Sequence, residues 1–355
     1  MSRPIALFFG TRPQVIKASV LRDALAAVGP VVAVDTGQHY DYSLHQIHYD
    51  QLGIRPPDAF LDVGSGSHAE QTGAILTACE RWIQQHRPRA AVVIGDTNST
   101  LACALAAAKL RVPVAHVEAG LRVADRLMAE EINRRAVDAV AEVLFAPCER
   151  AATALRRQYP DAVVEATGDV ARDVLCRALA KAPQEAVAKE NFVFVTLHRA
   201  ELVDAPARLE GVMEGLAAAG MPCRLAAHPR TAAALKDLGR RAHLNGRVRV
   251  LEPVGYLDSL ALLQRARAVV TDSGGIQREA YWLGVPCVTV RTETEWTETV
   301  ERGANRLVAP ERGTELPAAI AAAVADRAAG REWDRGAYGD GRAAERIAAV
   351  LAVRF

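Results

Sequence analysis

Long apolar runs are absent from this chain of 355 residues. The apolar stretch nearest the start, residues 5–9, runs straight into Gly10-Thr11-Arg12-Pro13 and is too short for a secretion signal or a membrane span. An excess of either charge is absent too: 43 Lys and Arg face 42 Asp and Glu, a net charge of +1. That balance gives no electrostatic reason to expect nucleic acid or an acidic membrane surface as a partner. The six cysteines include no CxxC pair and no metal-ligand spacing, and several sit in apolar stretches. They read as reduced core thiols, the usual state in a cytoplasmic protein. Internal repeats and low-complexity segments are also missing. What remains is a globular chain too long for one core, so two domains are expected.

Short apolar runs alternate with amphipathic stretches along the whole length. In the first half, strands are expected at 5–9, 31–36, 91–95, 113–118 and 143–147, with helical patterns at 15–27, 70–85 and 99–110. The second half repeats the scheme, with strands at 192–196, 223–227, 247–251, 268–272 and 287–290. Uninterrupted apolar strands separated by helices indicate parallel sheets covered on both faces. The fold class is therefore α/β: two doubly wound, Rossmann-like domains facing a central cleft, with ligand at the carboxyl ends of the strands. A polar, strandless stretch at 181–190 marks the boundary, giving domains at 1–175 and 176–340.

The richest segment is Thr271-Asp272-Ser273-Gly274-Gly275-Ile276-Gln277-Arg278-Glu279, between an expected strand and an expected helix. A helix that starts at Ser-Gly-Gly leaves backbone N–H groups aimed outward, and these bind anions, most often phosphate. Glycine lets a diphosphate approach without meeting a Cβ. Glu279 follows in the same helix, where its carboxylate can accept from the hydroxyls of a ribose. Gly10-Thr11-Arg12-Pro13, with Lys17 a turn later, reads as a second phosphate-directed helix start carrying two cations. Other strand ends carry Asp96, His116 with Glu118, His198 with Arg199, and His228 with Arg230. Asp96 also has a plainer reading as a helix cap. Glu130 and Arg134 are spaced for an exposed helix pair. A carboxylate at the end of an apolar strand, such as Glu118, needs a partner or a chemical task.

Taken together, these motifs resemble the nucleotide-sugar 2-epimerase family, typified by the non-hydrolysing UDP-N-acetylglucosamine 2-epimerases. The resemblance rests on Gly10-Thr11-Arg12-Pro13, Thr36-Gly37-Gln38-His39, Gly95-Asp96-Thr97-Asn98-Ser99-Thr100, His116-Val117-Glu118-Ala119-Gly120-Leu121-Arg122 and Glu130-Glu131-Ile132-Asn133-Arg134. It continues through His228-Pro229-Arg230-Thr231, Gly255-Tyr256, the Thr271 segment and Arg291-Thr292-Glu293-Thr294-Glu295-Trp296. It implies the two-domain GT-B fold and a C-terminal helix, residues 341–355, returning to the first domain.

The implied reaction inverts C2 of the sugar by eliminating UDP to a 2-acetamidoglycal and adding it back, without redox cofactor or metal. Asp96, Glu118, Glu130 and His198 are the implied catalytic residues. Arg12, Lys17, His198, Arg199, His228, Ser273, Gly274, Gly275, Glu279 and Arg291 are the implied UDP-sugar contacts. A homodimer is implied as well, and some members use UDP-N-acetylglucosamine as an allosteric activator. The expected substrate is UDP-N-acetylglucosamine. The alternatives are UDP-2,3-diacetamido-2,3-dideoxyglucuronic acid, toward whose branch Gln14, Ala18 and Ser19 lean, and a hydrolysing relative that releases free sugar. Val123, Ala129 and Leu202 stand where the family usually has Ser, Pro and Asn, removing two polar groups near the expected sugar site.

Overall fold

The structure, a computed structural model, describes residues 3–38, 53–181, 190–237 and 246–355. The chain divides into two compact units, Met1–Lys181 with Gly336–Phe355, and Ala182–Arg335. The expected boundary at 175 falls inside the helix Val170–Lys181, which belongs entirely to the first unit.

Among the described residues, the first unit holds seven parallel strands in the order β3-β2-β1-β4-β5-β6-β7. They are β1 (Ile5–Phe9), β2 (Val31–Asp35), β3 (Ala59–Phe60), β4 (Ala90–Ile94), β5 (Val114–Val117), β6 (Val143–Ala146) and β7 (Val163–Ala166). β1, β4, β5 and β6 are buried along their whole length. Helices cover both faces of the sheet, so these strands need no polar side, and their sequences are accordingly unbroken apolar runs. The C-terminal helix Ala343–Arg354 packs on the helices Arg12–Ala26 and Val170–Lys181. Asp173 fixes its start, accepting the N–H groups of Ala343 at 3.1 Å and Ala344 at 2.8 Å.

The second unit holds β8 (Val193–Thr196), β9 (Cys223–Ala226), β10 (Val248–Leu251), β11 (Ala268–Thr271), β12 (Cys287–Thr289) and β13 (Asn305–Leu307). All pair in parallel, in the order β10-β9-β8-β11-β12-β13. Both sheets therefore reverse direction of growth at one point, between β1 and β4 and between β8 and β11. In doubly wound sheets ligands bind at that point, outside the carboxyl ends of the strands.

β3, β7 and β13 lie outside the expected strands, and each is a sheet edge. No helix is long and apolar enough to cross a membrane among the described residues. Five of the cysteines are buried and Cys176 is exposed, so the core-thiol expectation fails at that one position. Burial pushes the Cys223 thiol up to about 11 and the Cys287 thiol to about 12.

Candidate functional site

At the reversal point of the first unit, one buried amide joins the ends of β1 and β4. Gln14 Oε1 accepts from the N–H groups of Gly10 at 2.9 Å and Thr11 at 3.2 Å. Its Nε2 donates to the Ile94 carbonyl at 2.6 Å and lies 3.0 Å from the hydroxyls of both Thr97 and Thr100. A carboxylate could accept the first pair of bonds but could not donate to Ile94. Arg12 opens the helix Arg12–Ala26 beside this stitch. Burial lowers its pKa, and no carboxylate pairs with it among the described residues. A desolvated guanidinium at a helix start, with no acid beside it, is suited to an anion.

Lys17 is buried a turn further on and is not an unpaired second cation. Its Nζ lies 2.6 Å from Glu118 Oε1 and 2.7 Å from Oε2. Glu118 sits just past β5 with φ of +69°, in the left-handed region. For a non-glycine residue that conformation costs about 1–3 kcal/mol and persists only where its surroundings enforce it. Gly120, two residues on, is also left-handed at φ +81°, and a Cβ there would lie 2.7 Å from Leu155. The Glu118 carboxylate comes within 3.4 Å of the place a Cβ on Gly95 would occupy, so it lies beside the Asp96 loop.

Asp96 is not the cap of the helix Asn98–Lys109. Thr97 takes that role, with the Thr100 N–H as its donor. Asp96 Oδ2 instead meets Arg134 through Nε at 2.8 Å and Nη2 at 2.6 Å, and Asn133 Nδ2 donates to its carbonyl at 2.9 Å. The exposed Glu130–Arg134 pair is likewise not what forms. Arg134 is buried and turned toward Asp96, while Glu130 stays exposed in the first turn of the helix Ala129–Val140. Its neighbour Glu131 is fully buried. Glu131 accepts from the Val123 N–H at 3.2 Å and Arg135 Nε at 2.7 Å, with Arg134 3.4 Å away. Gln14, Glu131 and Asp138 carry much of this geometry; motif reading gave Glu131 and Asp138 no role and took Gln14 only as a pointer to the substrate branch. His39 and Tyr40 lie outside the described residues.

At the reversal point of the second unit, Asp272 organises the loop after β8. Its Oδ2 accepts from the N–H groups of His198 at 2.8 Å and Arg199 at 2.9 Å, and its Oδ1 lies 3.2 Å from His198 Nδ1. Burial alone would raise the Asp272 pKa, but the His198 and backbone donors outweigh it and hold the group below its ordinary value. The His198 and His228 rings stand 6.2 Å apart.

The helix Gly274–Leu283 starts at Ser273, whose hydroxyl makes no capping bond. Its first backbone N–H groups have no intrahelical acceptor and suit a phosphate. The two glycines differ. A Cβ on Gly274 would lie 2.9 Å from Trp296 Nε1, whereas one on Gly275 would find nothing nearer than Ser273 Oγ at 3.6 Å. Gly275 thus keeps clear a space the protein itself leaves unfilled. Glu279 is buried in the same helix. Arg291 is ion-paired with Glu295 at 2.9 Å, with both side chains buried.

A carboxylate on the sugar would need a cation beyond those holding the diphosphate, and four arginines stand at the motif positions. Arg122 meets Asp138 at 2.7 Å, Arg134 meets Asp96, and Arg230 Nε donates to Asp204 at 2.9 Å. The Arg199 guanidinium forms no ion pair among the described residues, donating through Nε to the Asp272 backbone carbonyl at 3.1 Å, while the Arg199 N–H meets the Asp272 carboxylate.

Doubly wound α/β units whose reversal points carry anion-directed helix starts define a nucleotide-binding protein. The comparisons with known proteins go further. The family model for UDP-N-acetylglucosamine 2-epimerase matches residues 27–352. The UDP-2,3-diacetamido-2,3-dideoxy-D-glucuronate 2-epimerase of Pseudomonas aeruginosa is 41% identical over 98% of this chain and 99% of its own length. The UDP-N-acetylglucosamine 2-epimerase of Methanocaldococcus jannaschii is 37% identical over 98% of each chain. The crystal structure of the Methanocaldococcus enzyme in complex with UDP-GlcNAc and UDP superposes with a TM-score of 0.87 over 99% of both chains, at 36% identity. The chain belongs to the UDP-N-acetylglucosamine 2-epimerase family, isomerases built on the GT-B fold.

Proposed function

We propose that this protein inverts C2 of a UDP-linked 2-acetamido sugar, interconverting UDP-N-acetylglucosamine and its manno epimer. The C1–O bond breaks first, its electron pair leaving with UDP. The C2 proton then passes to a carboxylate, and its C–H electron pair closes the C1–C2 double bond of a 2-acetamidoglycal. Return of a proton to the opposite face, with re-addition of UDP at C1, completes the inversion.

The C2 proton is weakly acidic, so the leaving group needs strong stabilisation. Arg12, His198 and the Ser273-Gly274-Gly275 backbone supply donors for it. Asp96, Glu118 and Glu130 supply carboxylates for the cationic ring and for proton transfer on two faces. The observation that carries this reading is the strained Glu118, held beside Asp96 by a buried lysine.

In heavy water the product should carry deuterium at C2, and long incubation should release UDP and glycal. Epimerised product that keeps its C2 hydrogen would point to a redox route and overturn the mechanism. The diacetamido uronate is the second reading. It is favoured by the 41% identity to the Pseudomonas enzyme and by Arg199, whose guanidinium forms no ion pair with a carboxylate among the described residues. A kcat/KM for the uronate more than about a hundredfold higher, roughly 2.7 kcal/mol of transition-state binding, would promote it. A homodimer, activation by UDP-N-acetylglucosamine and a cytoplasmic setting complete the proposal. Light scattering and titration with the activator check the first two.

A further inference from the structure

We propose that His116 and Asp138 are positioning residues for this reaction, the far side of a closed ring of alternating charge that fixes the loop carrying Asp96. The proposal rests on the reading of Asp96 as catalytic. The ring can be walked from contact to contact. Asp96 meets Arg134 at 2.6 Å, Arg134 meets Glu131 at 3.4 Å, and Glu131 lies 4.0 Å from Arg122. Arg122 meets Asp138 at 2.7 Å, and Asp138 Oδ1 lies 2.7 Å from His116 Nδ1. His116 Nε2 then lies 2.8 Å from the carbonyl of Gly95, the residue before Asp96, which closes the circuit.

Both nitrogens of His116 face oxygens, the Asp138 carboxylate at 2.7 Å and the Gly95 carbonyl at 2.8 Å, so the geometry calls for a donor on each. The charges then run minus, plus, minus, plus, minus, plus around the circuit. The side chains of His116, Asp138 and Glu131 have no exposure at all. Burying such charges is expensive, and well-packed apolar residues often serve stability as well or better. Apolar residues could not, however, set the direction of a carbonyl or an N–H. This ring sets two. His116 takes the Gly95 carbonyl, and Asp138 Oδ2 accepts the Gly120 N–H at 3.2 Å, two residues past Glu118. The loops of Asp96 and Glu118, which follow neighbouring strands β4 and β5, are therefore held from behind by one buried pair. The Asp138 carboxyl works against its burial, which would raise its pKa; the His116 and Arg122 donors bring it below the ordinary value.

The test is His116→Gln, whose amide nitrogen can donate to Asp138 or to Gly95 but not to both. Turnover should fall about a hundredfold, the scale set by misplacing a reacting group by an ångström. UDP affinity and the KM should stay within about threefold, because the reaction keeps its nucleotide contacts. Nitrogen NMR of the parent enzyme should show both His116 ring nitrogens protonated at neutral pH. A folded His116→Gln enzyme with turnover within threefold of the parent overturns the proposal, and so does a singly protonated His116. If His116→Gln does not fold, Asp138→Asn serves instead; turnover at the parental level there overturns the proposal too. Asp96→Asn separates this idea from the reading beneath it. An active Asp96→Asn enzyme sinks the catalytic reading itself, whereas an inactive one beside an active His116→Gln sinks only the ring.

Discussion

Replacing Lys17 with methionine would remove the ammonium from a carboxylate that is 7% exposed and keep most of the side-chain volume. Breaking a buried ion pair by deleting one partner costs about 3–5 kcal/mol, because the remaining charge stays desolvated. Glu118 has an escape, which is to bind a proton. Lifting a carboxyl from its ordinary pKa of about 4.3 to protonation at pH 7 costs about 3.7 kcal/mol, and at pH 5 about 1 kcal/mol. Those figures cap the loss. Losing the ammonium favours the protonated form of Glu118, so the deficit is smallest at low pH and grows as pH rises. Urea unfolding should therefore show Lys17→Met destabilised by about 3–4 kcal/mol at pH 7 and by about 1 kcal/mol at pH 5. Adding Glu118→Gln should recover much of the stability at pH 7 and none of the turnover. A loss equal at the two pH values, or one under about 1 kcal/mol at pH 7, would show the pair to be solvated and the reasoning wrong.

Two further substitutions probe other places. Gly275→Ala should leave the melting temperature unchanged or slightly raised, since alanine favours a helix and its Cβ has room, yet weaken UDP binding about tenfold, roughly 1.4 kcal/mol. Gly274→Ala should lose stability instead, its Cβ meeting Trp296. Parental UDP affinity in Gly275→Ala by calorimetry would remove the diphosphate from this helix start. Burial pushes the Asp35 carboxyl from 3.8 up to about 6 against the Gly37 N–H, so its penalty is absent below 3.8 and complete above about 6. Asp35→Asn should accordingly stabilise the protein by roughly 3 kcal/mol at pH 8 and very little at pH 4; equal gains at both would refute the shift.

The central strands were legible because each is an apolar run bounded by helical periodicity, and β1 matches its expected limits residue for residue. The edges were not. β3 has two residues, one of them Phe60 at 62% exposure, β7 exposes Glu165, and β13 is Asn-Arg-Leu, so none makes an apolar run. The candidate residues could be picked out for a topological reason, since most of them lie where strands end and helices begin. Their pairings were not. Lys17 finds Glu118 and Arg134 finds Asp96 across long loops of chain, and nothing in local spacing announces such a bond. Local spacing even misled at Glu130 and Arg134, because the deeper carboxylates at Asp96 and Glu131 drew the arginine inward. Gln14 was read only as a pointer to the substrate branch; an uncharged residue where the family commonly has Glu also asks what it donates to, and the answer is Ile94.

Glu118 occupies a backbone conformation that glycine would adopt without strain. Thermodynamic selection alone would move this position toward glycine and turn the Lys17 site apolar. A stability-guided redesign blind to chemistry would make those changes early, and the melting curve would report success. Such a protein would be a sturdier scaffold that had forgotten its reaction. On the proposed role of Glu118, the left-handed glutamate is a marker for ancestry as well: lineages that have abandoned epimerisation should relax here first, while the sheets around it persist.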